Sequence, residues 1–198
     1  MVSRAWYYFW YVIIRPLFFI AHPVFRVKGR ENIPQGACLL CSNHSGMGDA
    51  FWMIFALRQK TMFRSMAKIE LMRVPVVGAF LRSMGVFGVD RGHHDMGAVN
   101  RGIEILKSGQ KLLINPEGTR LKDGKRIRAK TGAVRMAAQS NAPILPVYIS
   151  PRTAPFTPVH VIIGAPLYIP QGEERTNEDY HRLSDGLMDT IYEMGETA

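Results

Sequence analysis

Short apolar runs of strand length alternate with stripes of helical spacing along most of this chain, and few architectures accept that order. Residues 25–28 and 37–42 read as strands, separated by a turn-rich segment at 29–36. Residues 49–59 follow as a helix. Met96, Val99, Ile103 and Leu106 recur every three or four positions, which places them on one helix face that Ser108-Gly109 brings to an end. Residues 111–114 form a short buried strand, 132–140 a helix, and 144–150 and 160–164 further strands. Tyr180, Leu183, Leu187 and Ile191 stripe a last amphipathic helix capped near Thr176 or Asn177. Alternation of this kind predicts an α/β fold, with a mostly parallel, mixed sheet flanked by helices. At 198 residues, without an internal repeat or linker, the chain fits a single folded domain behind its first segment.

That first segment differs from the rest. Residues 5–14 are apolar and aromatic without a break, then Arg15-Pro16 interrupts, and apolar residues resume at 17–21. As a helix the first run covers only ~15 Å of a hydrocarbon layer ~30 Å thick. Extending it to residue 21 places Arg15 inside the layer, at a cost of ~2.5–3.5 kcal/mol near its centre. Trp6, Tyr7, Tyr8, Trp10 and Tyr11 are residue types that settle at a lipid–water boundary. The expectation is a membrane-interfacial anchor helix over residues 1–22, with the folded domain at 23–198. A core helix is the alternative.

Charge and cysteines narrow the partners. With 25 Lys and Arg against 16 Asp and Glu, the net charge of +9 favours anionic surfaces such as phosphate, acidic lipid or nucleic acid. No helix-turn-helix, zinc or aromatic-platform pattern accompanies it, so nucleic acid is not the expected partner. Cys38 and Cys41 lie three apart on an expected strand and so face opposite sides, which argues against a metal or redox pair.

Chemistry gathers at the strand ends. His44 follows a strand and precedes a helix, and Asp49 lies five residues on. On one continuous helix the two would be ~140° apart, so the expectation is that Gly46 and Gly48 let the backbone turn and return the carboxylate to the imidazole. A carboxylate on one ring nitrogen fixes the tautomer and stabilises the imidazolium of a general base. Pro116-Glu117-Gly118-Thr119-Arg120 leaves the strand at 111–114 as a tight loop offering a planar cation, and Asp90-Arg91-Gly92 places another cation after a glycine-bounded run. Taken singly, each of these is also compatible with an ordinary turn.

Together they resemble the glycerolipid acyltransferases that include 1-acylglycerol-3-phosphate acyltransferase, a family with an Asn-His-x4-Asp block. Asn43, His44 and Asp49 match that block, residues 85–91 a second, residues 115–121 a third, and Leu145-Pro146-Val147 a late apolar one. Asn115 stands where the family usually has phenylalanine, Leu121 where serine is frequent, and Gly88 where an aromatic is common. The resemblance implies that His44, oriented by Asp49, deprotonates the sn-2 hydroxyl of lysophosphatidic acid. The alkoxide then attacks an acyl thioester of coenzyme A or acyl carrier protein. It further implies that Arg91 and Arg120 hold the phosphate, with Glu117, Gly118 and Thr119 shaping the site. No cofactor beyond the acyl donor and no metal are expected. Membrane lipid is the expected partner, at the cytoplasmic face. Another lysophospholipid or glycerol 3-phosphate is the alternative acceptor.

Other readings compete. A serine hydrolase would use Ser42 or Ser45 with His44, but the Gly-x-Ser-x-Gly elbow is missing. His93-His94-Asp95 suggests a metal phosphohydrolase only weakly, since one cluster lacks remote partners. The cations Lys122, Lys125, Arg126, Arg128 and Lys130 fit a solvated loop, anionic lipid or donor phosphates.

Overall fold

The computed structural model describes residues 3–46, 48–57, 62–90, 95–119, 128–152, 154–170, 172 and 174–196. In chain order the strands are β1 (Phe25–Lys28), β2 (Cys38–Ser42), β3 (Phe63–Lys68), β4 (Val86–Val89), β5 (Lys111–Ile114), β6 (Ile144–Ile149) and β7 (Val159–Ile163). The helices are α1 (Arg4–Ala21), α2 (Asp49–Leu57), α3 (Ile69–Arg73), α4 (Pro75–Ser83), α5 (Met96–Lys107), α6 (Gly132–Ser140) and α7 (Asn177–Glu196). The strands form one seven-stranded sheet in the order β1-β7-β6-β2-β5-β3-β4. From β6 to β4 all pairings are parallel; β7 runs antiparallel to β6, and β1 parallel to β7. The expected mixed α/β sheet is therefore present, with β2 and β5 side by side at its centre.

Two apolar layers cover the sheet, and strand alternation divides the residues between them. Leu39 and Cys41 of β2 pack with Leu112 and Ile114 of β5 beneath α5, α6 and α7. Cys38 and Leu40 face the other way, with Leu113 and Leu145, toward α1 and α2. The two thiols thus sit in different layers, both free and buried, as the spacing requires. Strands covered on both faces need apolar residues at nearly every position, which explains the apolar runs at 38–41 in β2, at 112–114 in β5 and over most of β6.

The helix ends follow from their caps. Asp95 accepts the Ala98 amide at 2.9 Å to open α5. Thr176 and Asp179 bond reciprocally, hydroxyl to amide and carboxylate to amide, to start α7 where the sequence placed its cap. The β3–α3–α4–β4 segment was not foreseen as regular structure beyond the glycine-bounded run. It extends the parallel sheet at its far edge. Here Pro75 opens α4 from its first turn, and Gly88 makes room for α3: a Cβ there would meet Ile69 Cδ1 at 2.4 Å. That approach accounts for glycine where a bulkier residue is the family habit.

The first segment is one helix that runs through Pro16, which lies on its exposed side. Tyr7 is buried, and Tyr11, Ile14, Phe18 and Phe19 pack with it onto α2, so one stripe of α1 belongs to the core. Trp10 stacks edge-on against Phe80 of α4 at 4.9 Å between centroids. The opposite side exposes Phe9, Val12, Ile13, Leu17 and Ile20. Among the described residues, no helix is long and apolar enough to cross a membrane.

Candidate active site

Loops leaving β2 and β5 meet at the C-terminal end of the central strands, where open parallel sheets place their ligand sites. Asn43 closes the end of β2. Its amide donates to the Ile149 carbonyl at 2.9 Å and its oxygen accepts the Ile149 amide at 2.8 Å, extending the ladder to β6 by a side chain. From the other side Asn115 donates to the carbonyls of Ser42 and Asn43 at 3.0 and 3.1 Å and to the Ser42 hydroxyl at 2.9 Å. The asparagine that departs from the family's phenylalanine thus ties β5 to the strand that carries His44.

His44 emerges from this clamp with its side chain 17% exposed, and its Nδ1 lies 2.9 Å from Oδ2 of Asp49, the first residue of α2. Asp49 is 4% exposed in its side chain and receives four donors. His44 and the Gly46 amide bond Oδ2; the Ser45 hydroxyl and the Arg152 guanidinium bond Oδ1. Burial alone would push its pKa up, but the bonds from His44, Gly46 and Arg152 outweigh that and hold it below the usual carboxylate range. An ionised carboxylate only accepts, so Nδ1 of His44 carries the hydrogen and the Nε2 lone pair is left to take a proton. A base of this kind is suited to activating a hydroxyl.

Glu117 supports the same histidine from β5. Its carboxylate is buried, with the residue 2% exposed, and Oε2 accepts the His44 amide at 2.8 Å. Oε1 accepts the hydroxyl of Tyr192 from α7. Glu117 thus meets the histidine loop through the His44 backbone. Gly118 has φ +68° at the bend, a conformation that favours glycine, and Lys130 lies across it. Thr119 is exposed at the loop's end.

The backbone turns between His44 and Asp49 as expected, the Asp49 amide donating to the Gly46 carbonyl at 3.3 Å, and the glycines of this loop also leave space. Gly46 has no positive φ. A Cβ on Gly46 would stand 2.6 Å from the Arg152 guanidinium, and one on Gly48 would stand 2.9 Å from the Phe18 ring. The first therefore admits a cation to Asp49, and the second lets α1 close over the start of α2.

Arg91 and Arg120 lie outside the described residues, as do His93, His94, Lys122, Lys125 and Arg126. Asp95 is engaged as a helix cap and with the Asp90 amide. Of the remaining cations, Arg128 bonds Glu178 at 3.4 Å. Ser42 is fully buried, and Ser45 gives its hydroxyl to Asp49, so neither is set up as a nucleophile on His44. A groove of about 1400 Å³ lined by Tyr7, Arg15, Phe55 and Lys111 contains none of these site residues. Hydrogen-bond geometry rather than hollow volume marks the chemical centre. Sequence reasoning missed Arg152 and Tyr192, which come from 103 and 75 positions away and carry no local signal.

The sequence model of the Acyltransferase family matches residues 24–150, more than half of the chain. A 1-acyl-sn-glycerol-3-phosphate acyltransferase of Bacillus subtilis is 31% identical over 150 residues, 72% of this chain and 73% of that protein. The chloroplastic 1-acyl-sn-glycerol-3-phosphate acyltransferase BAT2 of Brassica napus is 27% identical over 176 residues, 81% of this chain and 50% of that protein. This chain thus spans about half the length of several curated relatives. The crystal structure of the 1-acyl-sn-glycerophosphate acyltransferase PlsC from Thermotoga maritima superposes with a TM-score of 0.68 at 26% identity, covering 92% of this chain and 76% of that one.

Proposed function

The chain belongs to the Acyltransferase family, and from that premise we propose that it moves a fatty acyl group from a thioester donor to the sn-2 hydroxyl of 1-acylglycerol 3-phosphate, giving phosphatidic acid. The observation that carries this reading is the 2.9 Å contact between His44 and an ionised Asp49, with no hydrogen bond to the other ring nitrogen among the described residues. His44 Nε2 takes the hydroxyl proton as the oxygen bonds to the thioester carbonyl carbon. The tetrahedral oxyanion collapses, the carbon–sulfur bond breaks, and the thiolate takes the proton back from the imidazolium. Asp49 offsets the imidazolium charge throughout; base assistance of this kind is worth ~10²–10⁴ in rate.

Arg91 and Arg120 are assigned to the acceptor phosphate, and Gly118 and Thr119 to the wall beside it. Glu117 holds the His44 backbone. The donor is a fatty acyl thioester of coenzyme A or of acyl carrier protein. Residues 1–22 serve as an interfacial anchor at the cytoplasmic face of a membrane, and residues 23–198 as the catalytic domain. The support for the anchor is the apolar outer side of α1, which leaves Leu17 and Ile20 in contact with solvent. An amphiphilic acceptor at that boundary keeps its tail in lipid while its phosphate meets protein cations.

Purified protein with radiolabelled acyl-coenzyme A and, separately, acyl carrier protein tests this against three acceptors: 1-acylglycerol 3-phosphate, a neutral lysophospholipid and glycerol 3-phosphate. Labelled phosphatidic acid from the first is expected. Preferred labelling of either other acceptor would replace the assignment.

A further inference from the structure

Arg152 lies just beyond the residues matched by the family model, on the loop leaving β6, yet its guanidinium reaches into the histidine loop. The side chain is 10% exposed, and its Nη2 is bonded to Oδ1 of Asp49. The opposite oxygen, Oδ2, receives His44 Nδ1 and the Gly46 amide. Space for this approach exists because position 46 has no side chain. The carboxylate is thereby gripped on both oxygens from two different elements.

We propose that Arg152 is a positioning residue: it fixes the rotation of the Asp49 carboxylate and balances its charge, so that Oδ2 is presented in register to His44. The inference rests on the assignment of His44 as the base. The planar fork is itself held, since Nη1 donates to the Ser150 carbonyl at 3.5 Å, so Nη2 meets Oδ1 from a fixed direction that a point charge on a flexible stem would not keep. The guanidinium also offsets the charge of the carboxylate that faces the imidazole at 2.9 Å. The groups that bear on His44 are Ser45 from its own loop, Asp49 from the start of α2, Arg152 from the β6 loop, and Glu117 from the β5 loop on its backbone amide. Tyr192 of α7 meets Glu117, and Lys130 crosses Gly118. Among those described side chains, Arg152 is the cation bonded to Asp49.

Three variants separate the two roles: R152A removes fork and charge, R152Q keeps an amide donor without charge, and R152K keeps charge with fewer donors. Two readouts are taken on the full chain: the pH profile of kcat/KM, and the ¹⁵N signature of the His44 ring. In R152A the ring signal broadens or shifts as the Nδ1 hydrogen bond loosens. In both neutral variants the acid limb of the profile moves up by about one unit. The kcat falls about tenfold in R152A with acceptor KM within threefold, and R152K recovers most of the loss. An unmoved acid limb with an unchanged ring signal would overturn the proposal. So would a defect confined to acceptor KM, which would make Arg152 a substrate contact. If R152A does not fold, R152Q and R152K carry the same comparison. If the parent acylates none of the acceptors, the ring signature still decides the role of Arg152 independently of the reaction.

Discussion

Replacing Glu117 with alanine separates a buried support from a substrate contact. The parent carboxylate takes the His44 amide at 2.8 Å and the Tyr192 hydroxyl, and is itself withdrawn from solvent. Hydrogen bonds to a charged acceptor are worth ~1.5–3 kcal/mol each, and a buried donor left without a partner costs ~1–3 kcal/mol. The two bonds share one carboxylate and are not additive, so E117A is expected to lose about 3 kcal/mol of stability. E117Q can still accept from the His44 amide while donating to the Tyr192 oxygen, and is expected to lose about 1 kcal/mol. Urea unfolding measures both. In the same variants kcat should fall at least tenfold for alanine and only a few-fold for glutamine, with acceptor KM within about threefold. Unchanged stability in E117A together with a tenfold rise in acceptor KM would refute the support role and place Glu117 on the substrate.

Removing the Tyr192 hydroxyl in Y192F should cost about 1–2 kcal/mol and lower kcat less than E117A does, read by the same melts and assays. The T176A change removes the α7 cap and should cost about 1 kcal/mol by thermal unfolding, with little effect on kcat. Acid unfolding should depend on Asp49. Its folded pKa is lowered, so its contribution is full above the unfolded value of about 3.9 and disappears as pH falls through the folded one. D49N should therefore flatten the stability–pH curve below pH 4. Burial pushes the Cys38 thiol up to about 11 and Cys41 higher still, so native protein at pH 8 should resist alkylation until unfolded, by mass spectrometry.

Sequence made the grouping of these residues readable because it is local: His44 and Asp49 lie on one loop and the helix start it leads into, and Glu117 to Thr119 on another loop, each after an apolar strand. The two loops come together because β2 and β5 pair in the sheet. Contacts made by folding alone were not readable. Arg152 and Tyr192 reach the site across long stretches of chain, and the amide of Asn115, a departure from the family pattern, ties β5 to β2 by bonds that no local pattern announces. The segment from β3 to β4 also escaped. Phe63–Lys68 reads Phe-Arg-Ser-Met-Ala-Lys, without the β-branched residues or strict alternation that announce a strand, and α3 is only five residues long. The glycines at 46 and 48 also leave room for Arg152 and Phe18, a task that only the folded neighbours reveal.

The central claim, that one imidazole removes the proton from the acceptor alcohol, is tested by H44A assayed with labelled acyl donor and 1-acylglycerol 3-phosphate. Transfer by the parent and a loss of at least a hundredfold in kcat by a variant that melts like the parent is the predicted result. Turnover by folded H44A within a few-fold of the parent would contradict it.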